Sequence, residues 1–182
     1  EIFNLLISKL DIPKRWKSRL LRHFSRKEYF NDLLDRLETN SDVDPTIVKM
    51  DKKKYNKMLR ENNKKIVAGR SLKEILDRFD SKIKDPRKVS KGKKVSKIIK
   101  NFLKINCQID LAAEKLNLFF KKNKINLLVE KNYFPISKNK ISKLRVKFST
   151  SFGRQLEYYT GMVFKIDLKK KSKNLNLING GR

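Results

Sequence analysis

The sequence predicts an α+β fold, in which a helix-rich first part is followed by an antiparallel sheet. Two observations carry this prediction. Up to Phe120, apolar residues recur mostly at intervals of three and four, the spacing of one face of an α-helix. From Ile125 onward, short apolar stretches alternate with polar residues at a period of two, as in half-buried strands. Helices followed by a run of strands are typical of the α+β class.

Apolar stripes, capping signals and prolines define the helices. Pro13 suits the first position of a helix, and the segments Ser25–Glu28 and Ser71–Glu74 match the capping box that starts one. A lysine-rich helix is expected within residues 46–65, and residues 85–92 are the best linker. The residues expected on buried helix faces are Ile2, Leu5, Leu6, Leu10, Trp16, Leu20, Phe24, Tyr29, Leu33, Leu34, Leu37, Val95, Ile98, Ile99, Phe102, Leu103, Leu111, Leu116, Phe119 and Phe120.

Three strands are expected near the end of the chain. The first alternates Leu144, Val146 and Phe148 with basic residues; the second lies within residues 158–168 and the third within 175–180. Short connections predict that they form an antiparallel meander. We expect residues 1–92 to be a helical, insertion-like segment and residues 93–182 to contain the sheet and its helices.

The charge is strongly basic but evenly spread. Forty-seven Lys and Arg residues against 19 Asp and Glu residues give a formal net charge of +28. Such an excess is common in nucleic-acid-binding proteins. The lysines are distributed along the whole chain, however, with Asn and Ile abundant beside them, which is also the pattern of a compositional bias. We therefore expect nucleic-acid binding to be absent or non-specific.

Cysteine usage and hydropathy exclude several classes of protein. The single cysteine, Cys107, excludes an internal disulfide and a cysteine-rich zinc site. No apolar run approaches the roughly 18 residues of a membrane helix, and no signal peptide is visible, so we expect a cytoplasmic protein. The chain opens inside a helical pattern and closes on "NGGR", which suggests a fragment cut at both ends.

Isolated polar residues of the helical part favour structural roles. His23, the only histidine, has no recognisable catalytic partner and is expected at the surface or its boundary. The pairs Asp32/Asp35 and Asp77/Asp80 have a spacing that metal sites use, but local ion pairs with Arg36 and Arg78 are the simpler interpretation. The stripe of Arg15, Arg19, Arg22 and Arg26 is expected to be a solvated helix face rather than an anion site. No metal, cofactor or catalytic residue is predicted.

The stretch "GRQLEYYTGMVFKID" from Gly153 to Asp167 carries more polar chemistry than a strand requires. An arginine can hold a carboxylate or phosphate through two parallel hydrogen bonds, and glycines allow a ligand to approach the backbone. Consecutive tyrosines on a strand point to opposite faces. Such a group suits a small zwitterion such as an amino acid. An ordinary strand junction with an Arg–Glu pair explains the same residues equally well.

The residues of this stretch, with "INGGR" at the end of the chain, resemble the histidine-recognition signature of the histidyl-tRNA synthetase superfamily. That family has an Arg-x-Leu-Asp-Tyr-Tyr block leading to Val-Phe, and a Gly-Gly-Arg-Tyr-Asp block one hairpin later. Glu157 replaces the usual Asp, and the chain stops before the final Tyr-Asp. The matching residues are Arg154, Glu157, Tyr158, Tyr159, Gly161, Gly180, Gly181 and Arg182.

Within the superfamily, the sequence is more similar to the synthetase-like regulatory subunits of ATP phosphoribosyltransferase than to the synthetases. "FGRQLEYYTGMVF" has the lead-in and continuation of the subunits, whereas synthetases prefer Arg-Gly and Val-Phe-Glu. "LDIPKRWKSRLLRHF" and "GRSLKEILDRF" are similar to helical segments of one form of the subunit. The similarity is weakest at residues 41–65 and 80–140. Histidyl-tRNA synthetase, or a degraded tRNA-binding relative, is the alternative.

The resemblance implies a class II aminoacyl-tRNA synthetase-like fold, an antiparallel sheet flanked by helices. It implies a non-catalytic subunit that binds the short-form ATP phosphoribosyltransferase catalytic subunit in the first step of histidine biosynthesis. L-Histidine would be the effector, in a hetero-oligomer. By resemblance, the pocket would comprise Arg154, Glu157, Tyr158, Tyr159, Gly161, Gly180 and Gly181.

Overall fold

The computed structural model contains helices and small antiparallel sheets. It describes residues 2–39, 49–50, 52–54, 56–57, 66–67, 69–83, 89–131, 145–153, 159, 163–170 and 173–181. The helices are α1 (Ile2–Lys9), α2 (Lys14–Arg22), α3 (Lys27–Thr39), α4 (Leu72–Ile83), α5 (Val89–Phe102) and α6 (Ala112–Lys122), with a 3-10 turn at Ile109–Leu111. The strands are β1 (Ile66–Val67), β2 (Arg70–Ser71), β3 (Asn106–Gln108), β4 (Lys147–Ser149), β5 (Val163–Lys170) and β6 (Lys173–Gly181). Mixed helices and antiparallel strands agree with the predicted class.

The hydrophobic core forms where α1, α2 and α3 meet α5 and α6. The predicted apolar stripes supply most of it, because each helix turns one apolar face toward its neighbours. Phe3 joins two parts of this core, since its ring stacks on Phe24 at 3.9 Å and lies 6.1 Å from Phe102. The fully or almost fully buried core side chains are Phe3, Leu6, Ile7, Leu10, Ile12, Trp16, Leu20, Phe30, Leu33, Leu34, Leu37, Val95, Ile98, Ile99, Phe102, Ala113, Leu116, Phe120 and Val129. The core therefore contains residues from both sides of residue 92, although whether residues 1–92 form an insertion-like segment stays a prediction.

Two helix starts and the lysine-rich helix agree with their sequence signals. Ser71 and Glu74 form a complete reciprocal capping box: the Ser71 N–H donates to Glu74 Oε2 at 2.9 Å, and the Glu74 N–H donates to Ser71 Oγ at 3.2 Å. The first of these bonds lowers the pKa of Glu74. Helix α3 begins at Lys27, one residue after the start that Ser25–Glu28 predicts. Residues 49–50, 52–54 and 56–57, within the predicted lysine-rich helix, are helical.

The predicted arginine stripe of α2 is only partly solvated. Arg22 and Arg26 are exposed, as expected. Arg15 and Arg19, however, are half-buried, and their guanidinium carbons lie 5.3 and 5.0 Å from the centre of the Trp16 ring. Trp16 itself is completely buried. A cation over an indole face is attracted by the ring quadrupole, so half of the stripe covers a core aromatic residue instead of facing water alone.

The sheets differ from the predicted meander. Strands β5 and β6 form an antiparallel hairpin, as predicted, with Val163 opposite Gly181. Strand β4 instead pairs antiparallel with β3, placing Phe148 opposite Cys107. In the described part of the chain the strands therefore form three separate two-stranded sheets, β1–β2, β3–β4 and β5–β6.

Three local predictions also need correction. Helix α5 begins at Val89 and includes Gly92, so the second half of the expected linker is helical. Leu111 lies in the 3-10 turn and is 44% exposed, so it does not extend the buried stripe of α6. Residues 125–130, where the strand-like sequence pattern begins, form neither helix nor strand. The side-chain amide of Asn117 accepts from the Val129 N–H at 2.8 Å and donates to its carbonyl at 2.9 Å. Asn117 thus pairs with that backbone as a neighbouring strand would.

The aspartates on helix surfaces bind partners on other elements. Asp35 lies 3.2 Å from Lys100 of α5, and Asp80 forms an ion pair with Lys52. The predicted local pairs with Arg36 and Arg78 are replaced in these two cases by contacts between elements. His23 is half-buried, with its ring edge-on to Tyr29 at 4.6 Å, which confirms a boundary position. Among the described residues, no cluster of three or more potential metal ligands occurs, and no helix is long and apolar enough to cross a membrane.

Glu38 joins α3 to α5 and predicts a pH-dependent contribution to stability. Its Oε1 accepts from Lys100 Nζ at 2.8 Å and from the fully buried Ser96 Oγ at 2.7 Å. The Lys100 and Ser96 hydrogen bonds lower the pKa of Glu38, and the bond to Glu38 raises that of Lys100. The stabilisation is therefore present above the ordinary carboxyl pKa of 4.5, is lost as pH falls through the lowered value, and is lost again as pH rises through the raised value of Lys100.

Glu38→Gln is expected to lower the free energy of unfolding at neutral pH by about 0.2–1 kcal/mol, the range for partly exposed ion pairs. The difference from wild type should disappear in acid, because the wild-type carboxyl is then also neutral. Urea denaturation across pH measures both effects. Glu130→Gln makes the same charge change at an exposed position and should have little effect. An equal loss at all pH values would assign the effect to shape rather than charge.

Candidate functional site

The candidate site is the junction between the Gly153 turn and the β5–β6 hairpin. Of the predicted pocket residues, the structure describes Tyr159, which is half-buried, and the glycine pair Gly180–Gly181 at the end of β6. The other four, Arg154, Glu157, Tyr158 and Gly161, lie outside the described residues. Their place in a pocket stays a prediction.

The hairpin register explains why Gly180, the first of the two consecutive glycines, carries no side chain. Gly180 lies directly opposite Phe164. A Cβ atom added to Gly180 would lie 2.7 Å from the tip of the Phe164 ring, which is much closer than carbon atoms normally approach. The ring therefore lies over the glycine, across the strand pair. Packing of Phe164 is enough to account for this glycine, and close approach of a ligand at the same position stays a prediction.

The Gly153 turn meets the hairpin at Val163. Gly153 has a φ of +74°, in the left-handed region that favours glycine. A Cβ atom on Gly153 would lie 3.0 Å from Val163 Cβ, so the turn packs against that side chain. Val163 is also the cross-strand partner of Gly181. Gly153, which precedes Arg154, and Gly181 of the Gly-Gly-Arg block are therefore both next to Val163, although 28 positions separate them in the sequence.

The two faces of the hairpin have different chemistry. Cross-strand partners share a face, and successive residues alternate between faces. Because the Gly153 turn contacts the Val163 side chain, it lies on the face of Val163, Lys165 and Asp167, where Lys165 and Asp167 form a 3.0 Å ion pair. On the opposite face, β5 carries the apolar residues Phe164, Ile166 and Leu168. The Gly153 turn therefore lies against the polar face.

Thr150 attaches the turn to the helical core. Its hydroxyl donates to the Phe102 carbonyl at the end of α5 at 2.5 Å, and its backbone N–H donates to the Ile105 carbonyl at 3.2 Å. Phe102 is the last residue of α5, and its carbonyl also accepts from the Ile105 N–H at 3.1 Å, so both contacts lie at the end of this helix. Strand β4, which precedes Thr150, pairs with β3 just beyond α5. Sequence reasoning missed Thr150, because a lone threonine in a strand end has no local signal for a distant helix terminus.

A cavity and the cysteine thiol lie away from this junction. A shallow cavity of about 310 Å³ is lined by α6 residues and Lys131, and none of its lining residues belongs to the predicted pocket. Burial raises the pKa of the Cys107 thiol, which makes it a poorer nucleophile at neutral pH. Neither feature adds a reactive group to the junction.

Gly153→Ala is expected to destabilise the chain by about 1–2 kcal/mol from the left-handed backbone alone, with a further loss because Val163 must move. Gly69 provides a matched control, since it has a φ of +73° and no atom within 4 Å of the point where an alanine Cβ would lie. Gly69→Ala should show the backbone cost only. Denaturant titration of both variants, and of Gly153→Ala combined with Val163→Ala, separates the two contributions. Equal losses in the two single variants would refute the contact with Val163.

Comparison with known proteins gives one consistent result. The chain is 26% identical, over 197 aligned positions, to a protein of Brucella anthropi named "ATP phosphoribosyltransferase regulatory subunit". Proteins of the same name from Brucella ovis and Brucella abortus are also 26% identical over 197 positions. Each alignment covers 100% of this chain and 52% of the relative. The resemblance predicted from the sequence is thus confirmed, and the chain spans about half the length of the curated relatives it matches.

Two further comparisons were negative. No family model matches the chain, and no solved structure matches it significantly. The class II synthetase-like arrangement therefore stays a prediction. The structure itself shows helices combined with small antiparallel sheets.

Proposed function

We propose that this chain is part of a non-catalytic regulatory subunit of ATP phosphoribosyltransferase, which acts in the first step of histidine biosynthesis. The subunit would bind the short-form catalytic subunit in a cytoplasmic hetero-oligomer. A synthetase-like pocket at the junction would bind L-histidine as effector. No cofactor or catalytic residue is assigned to this chain.

The observation that carries the proposal is the match over the whole chain to relatives with that name. It includes the helical first part as well as the motif, so the similarity is not confined to a short signature. The motif residues alone had left two members of the superfamily open. The names of the relatives favour the regulatory subunit over histidyl-tRNA synthetase.

The geometry of the junction supports the location of the pocket. The Gly153 turn and Gly181 meet at Val163, so the residues beside the two sequence blocks are neighbours in space. Arg154 follows Gly153 directly in the sequence, so a pocket that contains Arg154 would lie beside this contact. A binding site built from both blocks requires this proximity.

The chemistry of the motif suits free histidine. An arginine can form a bidentate, charge-assisted pair with the α-carboxylate. Glu157 would hold the ammonium group or the imidazole, and Tyr158 and Tyr159 would contact the imidazole side. Gly161 would leave room for the ligand. A ligand of this kind regulates only if it binds two states of the assembly with different free energies.

The net charge of +28 is assigned to composition rather than to a nucleic-acid partner. Non-specific contacts between lysines and phosphates depend steeply on salt concentration, because binding releases counterions. A salt-resistant preference for histidine tRNA would instead favour the synthetase alternative.

The test uses the full-length polypeptide and the short-form catalytic subunit from the same organism. The expected result is a stable complex whose phosphoribosyl transfer exceeds that of the catalytic subunit alone and falls as histidine is added. Aminoacylation of histidine tRNA by the full-length polypeptide, without any effect on the catalytic subunit, would reject the proposal in favour of the synthetase.

A further inference from the structure

Strand β4 is attached to the helical part of the chain over a short stretch. It pairs with β3, with Phe148 opposite Cys107, and the Ile109 N–H donates to the Val146 carbonyl at 3.1 Å. Phe148 also packs against the hydrophobic core. The chain is thus held by backbone pairing up to residue 149, and the turn that leads to Gly153 begins at the next residue.

Thr150 binds the start of this turn to the end of α5. Its hydroxyl lies 2.5 Å from the Phe102 carbonyl oxygen and 3.3 Å from that of Ile105, and its N–H donates to the Ile105 carbonyl at 3.2 Å. A hydroxyl donates one hydrogen, so the shorter contact to Phe102 is its hydrogen bond. Phe102 is 1% exposed, and Ile105 packs against the core. Thr150 therefore attaches the turn to a buried, well-packed part of the protein.

The other end of the turn contacts the hairpin. A Cβ atom on Gly153 would lie 3.0 Å from Val163 at the start of β5. Between the two attachments, Ser151 and Phe152 are exposed. Among the described contacts of residues 150–153, the hydrogen bonds to the helical part come from Thr150. The position of the turn between the core and the hairpin thus depends on this residue.

The short distance along the chain makes this attachment important for the candidate site. Gly153 follows Thr150 by three residues, which span at most about 10 Å even when fully extended. A displacement of Thr150 would therefore also change the contact between Gly153 and Val163. A turn that is already held in its binding conformation spares the ligand the free energy of ordering it.

We propose that Thr150 is a positioning residue for the effector site. Its hydrogen bonds to the end of α5 hold the Gly153 turn against Val163 in the conformation that binds the ligand. The inference rests on the proposed function, since it takes L-histidine as that ligand. Thr150 acts through the turn and does not contact the ligand. Without its hydroxyl, a smaller fraction of the protein holds the binding conformation, and the apparent affinity falls by that fraction.

Three variants of the full-length polypeptide, each assembled with the catalytic subunit, test the role of the hydroxyl. Thr150→Val keeps the branched shape and should raise the histidine concentration for half-maximal inhibition roughly twofold to tenfold, the factor for one net hydrogen bond. Thr150→Ser keeps the hydroxyl and should respond as wild type does. Ser151→Ala removes an exposed hydroxyl from the neighbouring residue and should leave inhibition unchanged. Urea denaturation is recorded for each variant. A less stable Thr150→Val with unchanged inhibition would make Thr150 a purely structural residue and overturn the proposal.

Hydrogen exchange in the wild-type complex tests the same link without a substitution. Exchange of the Thr150 N–H should slow roughly tenfold at ten times the half-saturating histidine concentration, because a ligand that binds only the closed turn suppresses its opening. The Lys124 N–H, which donates to the Lys121 carbonyl at 3.1 Å just after α6, is the control and should not change. An unchanged rate at Thr150 in a complex that histidine inhibits would contradict the proposal. A wild-type complex that does not respond to histidine at all would instead reject the effector in the proposed function, and the inference with it.

Discussion

Arg154→Ala is expected to raise the histidine concentration needed for half-maximal inhibition roughly tenfold to a hundredfold. In the proposed pocket, the change removes a hydrogen-bonded pair between a guanidinium and the ligand carboxylate, and bonds to charged groups contribute about 1.5–3 kcal/mol. Each 1.4 kcal/mol corresponds to about a factor of ten in affinity. The measurement is histidine titration of phosphoribosyl transfer by the assembled complex, with basal activity and assembly recorded for each variant.

Two control variants separate pocket chemistry from charge. Arg145→Ala removes the same charge from an exposed residue just before β4 and should leave inhibition unchanged. Arg154→Lys should restore only part of the affinity, because an ammonium group lacks the planar fork of a guanidinium. Unchanged inhibition in Arg154→Ala would exclude this arginine from the pocket and leave a structural strand junction in its place. Full rescue by lysine would show that only charge matters.

The helical core could be predicted because its signal is local. The stripe of Val95, Ile98, Ile99 and Phe102 repeats at the helical period within one segment, and all four side chains are buried as expected. Periodicity shows which face of a helix is apolar without identifying its partner. That α5 packs on α3 through Glu38 depends on residues 58 and 62 positions apart, which no local window contains.

The sheets show which strand pairings local sequence patterns do not predict. The β5–β6 hairpin was predictable, because two alternating segments are joined by a short connection. Strand β4 pairs instead with β3, a three-residue strand about 40 positions earlier that has no alternation long enough to recognise. Short connections favour pairing of consecutive strands but do not require it.

The candidate site stays a prediction, and the structure describes only part of it. Its residues resemble a known signature, and Gly153 and Gly181, which lie beside or within the two blocks, are both next to Val163. The role of Phe164 in fixing Gly180 as glycine could not be read from spacing, because it depends on the register across the strand pair. A glycine kept for packing and a glycine kept for a ligand look alike in a sequence.

The arginine stripe was misinterpreted for a similar reason. Helical periodicity assigns Arg15 and Arg19 to the polar side, because they are charged. Their guanidinium groups nevertheless reach back over Trp16, since a long side chain can cover apolar surface while its head stays near water. Polarity alone therefore overestimates how much of a basic helix face is free for an anion.

Trp16→Ala is expected to cost about 3–5 kcal/mol of the free energy of unfolding, the usual range for removal of a buried aromatic side chain. The indole is completely buried, so its loss leaves a cavity beside Leu20 and removes the surface under Arg15 and Arg19. Urea denaturation measures the loss, and Trp16→Phe should cost less because it fills part of the cavity. Leu21→Ala, on the same helix but 37% exposed, is the matched control and should cost far less. If Trp16→Ala and Leu21→Ala were equally mild, α2 would not be part of the core, and the assignment of Arg15 and Arg19 to its cover would be wrong.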